Sequence, residues 1–383
     1  MINFAMLVFV IGLSLSSLYV FDSGIPQPAD VILSFSAFLI LCHSALQGRL
    51  ILNSVPASWL ALVAWVFVVC LIWSLALASY DFFINFSFWL YNLLIASSIS
   101  FLLYNYRSFR NYLLFGLCAS LIVSGIGVLV SLDASLRSVG FFNNPNQLAY
   151  FSLLGISSLL VLLRFRIPLK PLVILSLLAG VLGIFAGASL AAMAGLLLVA
   201  IGYMMKNISP RRLIATLGWG AIIVVIFAIT DLPFVSKVYE NVSSRLLVAE
   251  NKFSGMAAER NYDRILAFPE YTLFGAGEGH LERFYPYSSL EIHSSFGNLL
   301  FCYGIIGLGL FLALLYRVLR RAPLSIWLVI SGPLLYSLTH MGLRTTMFWI
   351  LIAVIWSEYR LERKEKSITM ENTKRLKQSV IVS

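Results

Sequence analysis

His293 stands where a long polar stretch meets an apolar run, in Glu291-Ile-His-Ser-Ser-Phe-Gly-Asn298. A neutral imidazole there can accept a proton near neutral pH. The plainer role for a histidine at a helix start is an interfacial cap. Upstream, residues 257–268 (AAERNYDRILAF) read as a helix that sets Arg260 and Arg264 four residues apart on one face. Two guanidiniums on one face suit a diphosphate, because each can bond phosphate oxygens as a fork. Pairing with Glu259 and Asp263 on a solvated helix is the other reading. The run Gly275-Ala-Gly-Glu-Gly279 has no strand–helix unit around it, so it is no dinucleotide fingerprint. It reads as a tight turn or a nest of backbone N–H groups. Near the middle of the chain, Arg137 and Asn146 flank Asn143-Asn144-Pro145, a turn in which Asn143 or Asn144 caps the next helix. Arg137 and these asparagines either lie solvated at an interface or face a polar cavity that holds a sugar or phosphate. Arg344, just after His340, is either an interfacial anchor or part of the same site. His280 reads as loop surface and His43 as structural. The four cysteines (Cys42, Cys70, Cys118, Cys302) match neither a metal-ligand spacing nor a disulfide framework, and read as packing residues. The expected site therefore has no metal and no cofactor.

The elements that must position these residues are apolar. Hydrophobic residues make up 60% of the chain and charged residues 11%, against about 25% charged in soluble domains. Runs of roughly 20 apolar residues are the length of a membrane-crossing helix. Lipid leaves helices as the only open-chain choice, because an unpaired strand edge has no partner there. The expected architecture is all-α and polytopic, with about twelve spans: 2–21, 30–47, 57–78, 84–105, 110–132, 148–164, 169–186, 188–205, 213–230, 293–316, 324–340 and 343–358. The first resembles a signal peptide in length but lacks a basic start and a clear cleavage site, so it reads as a retained helix. Together they form one transmembrane domain, 1–358, with one large loop, 231–292, between the ninth and tenth spans and a charged tail, 359–383. The tail reads as a short helix that frays.

Net charge is +10, and in an apolar chain it is better read as sidedness than as affinity for nucleic acid. With the N-terminus inside, nineteen of the 27 Lys and Arg residues fall in cytoplasmic segments or the tail. The other eight are Arg137, Lys237, Arg245, Lys252, Arg260, Arg264, Arg283 and Arg344, six of them in the large loop. Both termini are expected in the cytoplasm and the large loop in the periplasm. That loop carries nine acidic residues against its six basic ones, so it is well solvated, and it is too long for a mere connector.

With the order of these features set out, a likeness emerges. The segment His293-x10-Gly304-Ile305-Ile306-Gly307-Leu308 resembles the signature of the bacterial O-antigen ligase and polysaccharide polymerase family. In that family a histidine opens the helix after the large periplasmic loop, and Gly-x-x-Gly follows. The segment Arg260 to Gly279 is similar to the family's loop helix and the glycine turn that ends it. The Gly140-Phe-Phe-Asn-Asn-Pro-Asn146 turn is similar to a recurrent turn of these proteins. The likeness covers most of the chain. Three spacings depart from the family pattern: Ser294 stands where asparagine is common, Gly255 lies five residues before Arg260, and Pro269 sits further from Gly275 than is common. Either Arg260 or Arg264 can therefore match the family's loop arginine.

The resemblance implies a metal-independent glycosyltransferase of the bacterial inner membrane. Its donor would be an oligosaccharide on undecaprenyl diphosphate. Its acceptor hydroxyl would belong to another lipid-linked glycan, giving O-antigen or exopolysaccharide polymer, or to a lipid A core sugar in a lipopolysaccharide ligase. Polymerisation is the favoured reading, because the loop and chain are modest in size. Membrane lipid and a chain-length regulator protein are implied partners. The residues fit that chemistry, with His293, Arg260 and Arg264 catalytic and Arg137, Asn146 and Arg344 binding substrate. Arginines in a low-dielectric cavity stabilise a departing diphosphate. A transporter or flippase of similar size is the competing class. It would place polar or broken helices near the midplane, commonly in repeated halves, whereas no internal repeat and no mid-span charge is visible here.

Overall fold

The computed structural model describes residues 1–22, 24–131, 137–207, 240, 243–244, 260–287 and 292–382. The expected span 213–230 and most of the loop's first half, with Gly255 and Glu259, lie outside the described residues. Among the described residues every regular element is helical: α1 (Ile2–Ser14), α2 (Pro28–Leu46), α3 (Ala57–Leu77), α4 (Asp81–Asn105), α5 (Phe109–Val130), α6 (Pro145–Leu162), α7 (Pro171–Ala186), α8 (Leu190–Asn207), the single turn α9 (Asp263–Ala267), α10 (Ser295–Leu319), α11 (Leu324–Thr339) and α12 (Thr346–Val382). Short 3-10 turns occur at Ile51–Ser54, Pro269–Tyr271 and Leu281–Phe284. Six helices, α2 to α6 and α10, are long and apolar enough to cross a membrane.

The starts follow from capping chemistry. Asn144 accepts the Gln147 N–H at 2.9 Å through its side chain, with Pro145 next in line, so α6 begins at Pro145 rather than at 148. Ser294 accepts the Gly297 N–H at 3.1 Å and starts α10. Gln27 and Asp30 cap α2 reciprocally. Two expectations need correction. The first span stops after 13 residues, at Ser14, because Ser14 and Ser16 turn their hydroxyls onto the Val10 and Leu13 carbonyls and Tyr19 bonds across to the Phe141 carbonyl. The tail is not a separate short helix: α12 runs unbroken for 37 residues through it.

Helices approach closely where side chains are small. A methyl group on Gly125 of α5 would lie 2.7 Å from Ala179 of α7, and one on Gly195 of α8 would lie 3.0 Å from the Gly332 carbonyl of α11. At one end of the bundle Glu358, which is 9% exposed, accepts Arg110 and, at 2.8 Å, the Arg164 Nε. The opposite end carries residues 260–287 and is called the loop end below.

The described part of the loop is anchored in the bundle. Its glycine turn enters the bundle. Helix α10 breaks at Gly304 (φ 68°, ψ −176°), which frees carbonyls before the break. Ala276 N–H donates to the Phe301 carbonyl and Gly277 N–H to that of Cys302, both at 2.8 Å. Trp65 of α3 donates its indole N–H to the Tyr303 carbonyl at 2.8 Å. On the far side, Ile305 N–H donates to the Thr272 carbonyl at 2.8 Å. Irregular backbone inside a bundle requires this kind of internal satisfaction. Two of the glycine turn's N–H groups are thus spent on α10, so of the two readings the segment is the tight turn and not the nest. Trp73 donates to the Gly275 carbonyl at 2.9 Å and Asn85 to that of Glu278 at 2.6 Å, fixing the turn to α3 and α4.

Candidate active site at the loop end

Of the helix predicted over 257–268, residues 257–259 lie outside the described residues, and among the described ones only Asp263–Ala267 is α-helical. Asn261 takes a left-handed backbone (φ 56°), so Arg260 precedes the helix and shares no face with Arg264. The two arginines part company. Arg264 is 1% exposed. It donates Nη2 to the Tyr287 carbonyl at 2.8 Å and lies 5.6–5.8 Å from the ring centres of Phe284, Tyr287 and Phe301. That packing holds the loop against α10. Arg283 has a similar cage of Trp73, Phe82, Tyr271 and Phe284.

Arg260 instead donates to the Thr339 carbonyl, and Tyr262 to that of Leu338. Both carbonyls end α11, where helices leave acceptors unpaired and cations are favoured. The Arg260 carbonyl accepts the His293 N–H at 3.1 Å, so the exposed His293 is seated beside it, just before the Ser294 cap. His340 follows α11. Its ring stacks on Tyr336 at 4.4 Å, and Tyr336 stacks on Tyr150 at 4.0 Å. The Tyr336 hydroxyl donates to the Asn146 carbonyl at 3.0 Å. Arg137 donates Nη2 to the Asn146 side chain at 2.9 Å and its Nε and Nη2 to the Gly187 carbonyl at 2.9 and 2.6 Å, closing the end of α7.

Four of the expected site residues, His293, Arg260, Arg137 and Asn146, therefore gather around the Tyr336–His340 stack. Electrostatics agrees with that proximity. Burial first, then the nearby Arg260, His293 and Arg137, push the His340 imidazole down to about 3. His340 stays neutral beside the Arg260 and Arg137 guanidiniums, able to donate or accept one hydrogen bond beside its 2.9 Å contact with Thr339 Oγ1.

Arg344 belongs to an adjoining group. Its Nε and Nη2 both donate to Glu278 Oε1, the Nε at 3.0 Å. Asn298 donates to the same oxygen at 3.3 Å, and the Tyr303 hydroxyl to Oε2 at 2.8 Å. Burial alone would raise the Glu278 carboxyl, but Arg344, with Tyr303 and Asn298, outweighs it and holds it below the usual carboxylate range. A narrow cleft runs beside this pair, lined by Phe88, Trp89 and Asn92 of α4, Ser295, Asn298 and Leu299 of α10, and Met341, Leu343, Arg344 and Glu278. Ser295 joins the two groups: its hydroxyl donates to the His340 carbonyl at 3.1 Å and accepts the Gly342 N–H at 2.8 Å.

Sequence reasoning missed Glu278, Tyr336 and Asn92. The signal for Glu278 was visible: an acid between two glycines of a turn has no side-chain neighbours in sequence, so its partners must come from elsewhere. Tyr336 and Asn92 sit inside apolar runs and carry no such mark. Comparison of the sequence with family models finds no match, and comparison with curated proteins finds none either.

Proposed function

We propose that the chain is a membrane glycosyltransferase that moves glycan from an undecaprenyl-diphosphate carrier to a sugar hydroxyl on the outer face of the bacterial inner membrane, polymerising O-antigen or exopolysaccharide repeat units. In this reading α1 to α8, residues 213–230 and α10 to α12 give twelve passes, with both termini inside. The observation that carries it is the gathering of Arg137, Arg260 and His293 around a neutral His340 at the end of an apolar bundle. The anomeric carbon–oxygen bond to the diphosphate breaks and a bond to the acceptor oxygen forms. The acceptor proton passes to His293, and the polyprenyl diphosphate leaves with its charge met by Arg260 and Arg137. Arg264 serves this chemistry from behind, by holding the loop in place.

The test is polymer length in cells. His293→Ala is expected to abolish long polymer at normal protein level, with lipid-linked repeat units accumulating on the outer leaflet. Arg260→Lys is expected to cut polymer about tenfold or more, since a point charge cannot copy the guanidinium fork. Full-length polymer in both variants would sink the reading. The break in α10 is a feature that would favour a transporter, because broken helices present free carbonyls to a substrate. Here Ala276, Gly277 and Trp65 occupy those carbonyls, which speaks for the enzyme.

A further inference from the structure

Asn92 lies on α4, eleven residues in from Asp81, which is about 16 Å along the helix axis. It is 3% exposed, and its Oδ1 has no hydrogen-bond partner among the described residues. A buried serine can turn its hydroxyl to a carbonyl of its own helix, as Ser157 does. A carboxamide oxygen only accepts, and a helix interior has no spare donor. An unpaired buried acceptor costs about 1–3 kcal/mol, so its presence on the wall of a cleft calls for a visiting donor.

The cleft's chemistry narrows the visitor. Arg344 is neutralised by Glu278, so this pocket is uncharged overall, unlike the Arg137–Arg260–His293 cluster next to it. An anion would go to the cluster and a neutral group to the cleft. Phe88, Trp89, Leu299, Met341 and Leu343 give apolar surface, while Asn92, Ser295 and Asn298 give polar points. Alternating C–H faces and hydroxyls are the surface of a sugar ring. Trp89 is held in place by edge contacts to Tyr303 and Trp349 at 5.5 and 5.7 Å and by its N–H donated to the Tyr303 hydroxyl at 3.1 Å. A fixed indole provides a stacking platform at low entropic cost. The cleft is narrow, so a whole ring stays at its mouth and only an exocyclic hydroxyl arm passes down to Asn92.

We propose that this cleft is a saccharide subsite in which a sugar ring rests against Trp89 and one of its hydroxyls donates to Asn92 Oδ1. This rests on the glycosyl-transfer reading above, and it assigns the neutral sugar to α4 and the diphosphate to the arginine cluster.

Two measurements on the full-length protein test it: polymer output in cells and thermal unfolding of the detergent-purified chain. Asn92→Leu keeps the volume and removes the acceptor, and Asn92→Ala removes the acceptor and leaves room. Both are expected to lower polymer output about tenfold, the worth of one specific hydrogen bond. Asn92→Leu is also expected to unfold at the same temperature as wild type or above it. Wild-type polymer in both variants, while His293→Ala abolishes it, would overturn the subsite and leave the glycosyl-transfer reading standing. Wild-type polymer in His293→Ala would remove that reading first. A lower unfolding temperature for both Asn92 variants would show that Oδ1 already has a structural partner, and would overturn the subsite too.

Discussion

At the scale of single residues, Glu278 carries the clearest physical consequence. Its carboxylate is 7% exposed and receives Arg344, Asn298 and Tyr303, and its pKa is held down in the folded chain. A depressed folded pKa means that the unfolded chain binds the proton more readily. The stabilisation is therefore complete above the unfolded glutamate value, about 4.3, and fades as pH falls through the lower folded value. Glu278→Gln cannot carry that charge. Its unfolding temperature is expected below wild type at pH 7, with the gap closing as the pH is taken down into the carboxylate range. Thermal unfolding of both proteins in detergent across that range checks it. A gap that stays constant with pH would mean that the carboxylate's charge adds nothing. His340 acts in the same direction: its folded pKa of about 3 lies below the unfolded value of about 6.5, so its contribution also declines as pH falls below that value, equally in both proteins, and cancels from the gap between them.

At the scale of elements, the join between the glycine turn and the break in α10 decides whether the loop end forms at all. A methyl group on Gly304 would sit 2.2 Å from the Leu273 carbonyl, and the positive φ there strains any other residue. Gly309, on the same helix, has open space around it. Gly304→Ala is expected to lose several kcal/mol and accumulate poorly, whereas Gly309→Ala stays near wild type, read by membrane protein level and unfolding temperature. Equal behaviour of the two would argue against the join. The same join marks where sequence reading ran short. Long helices were legible, because lipid demands apolar runs and because Asn144-Pro145 and His293-Ser294 mark starts with side-chain chemistry. The pairing of Ala276 and Gly277 with Phe301 and Cys302 was not, since it spans about 25 residues and follows no period. The helix expected over 257–268 failed at Asn261, whose left-handed backbone turns Arg260 away from Arg264. An amphipathic pattern cannot register such a turn. For the site, Arg137, Asn146 and His293 could be picked from polar residues placed at the ends of apolar runs, whereas Arg260 was picked from a helical spacing to Arg264 that the structure does not form. Asn92 and Tyr336 could not, because a polar side chain within a run looks the same whether it faces a neighbour or a cleft.

At the scale of the whole molecule, the open quantity is which way the bundle points. The two ends differ in kind. One binds Glu358 between Arg110 and Arg164 and carries Arg317, Arg320 and Arg321, while the other carries the loop and the Arg137–Arg260–His293 cluster. In the proposed orientation, drawn from the basic-residue bias, the first end lies in the cytoplasm. Lipid-linked glycans assembled for export are joined on the opposite face, so the glycosyl-transfer reading requires the loop end outside. Cysteine labelling decides it with little background, because Cys70, Cys118 and Cys302 are buried and Cys42 is half-buried. Glu282 and Arg320 are exposed at opposite ends. With the native cysteines replaced, Glu282→Cys is expected to react with a membrane-impermeant maleimide on intact spheroplasts. Arg320→Cys is expected to react only after the membrane is opened. The reverse pattern would put the arginine cluster in the cytoplasm, where a diphosphate site would serve synthesis of the carrier-linked unit rather than its polymerisation. The cluster's geometry would stand, but its substrate would have to be sought on the inner face.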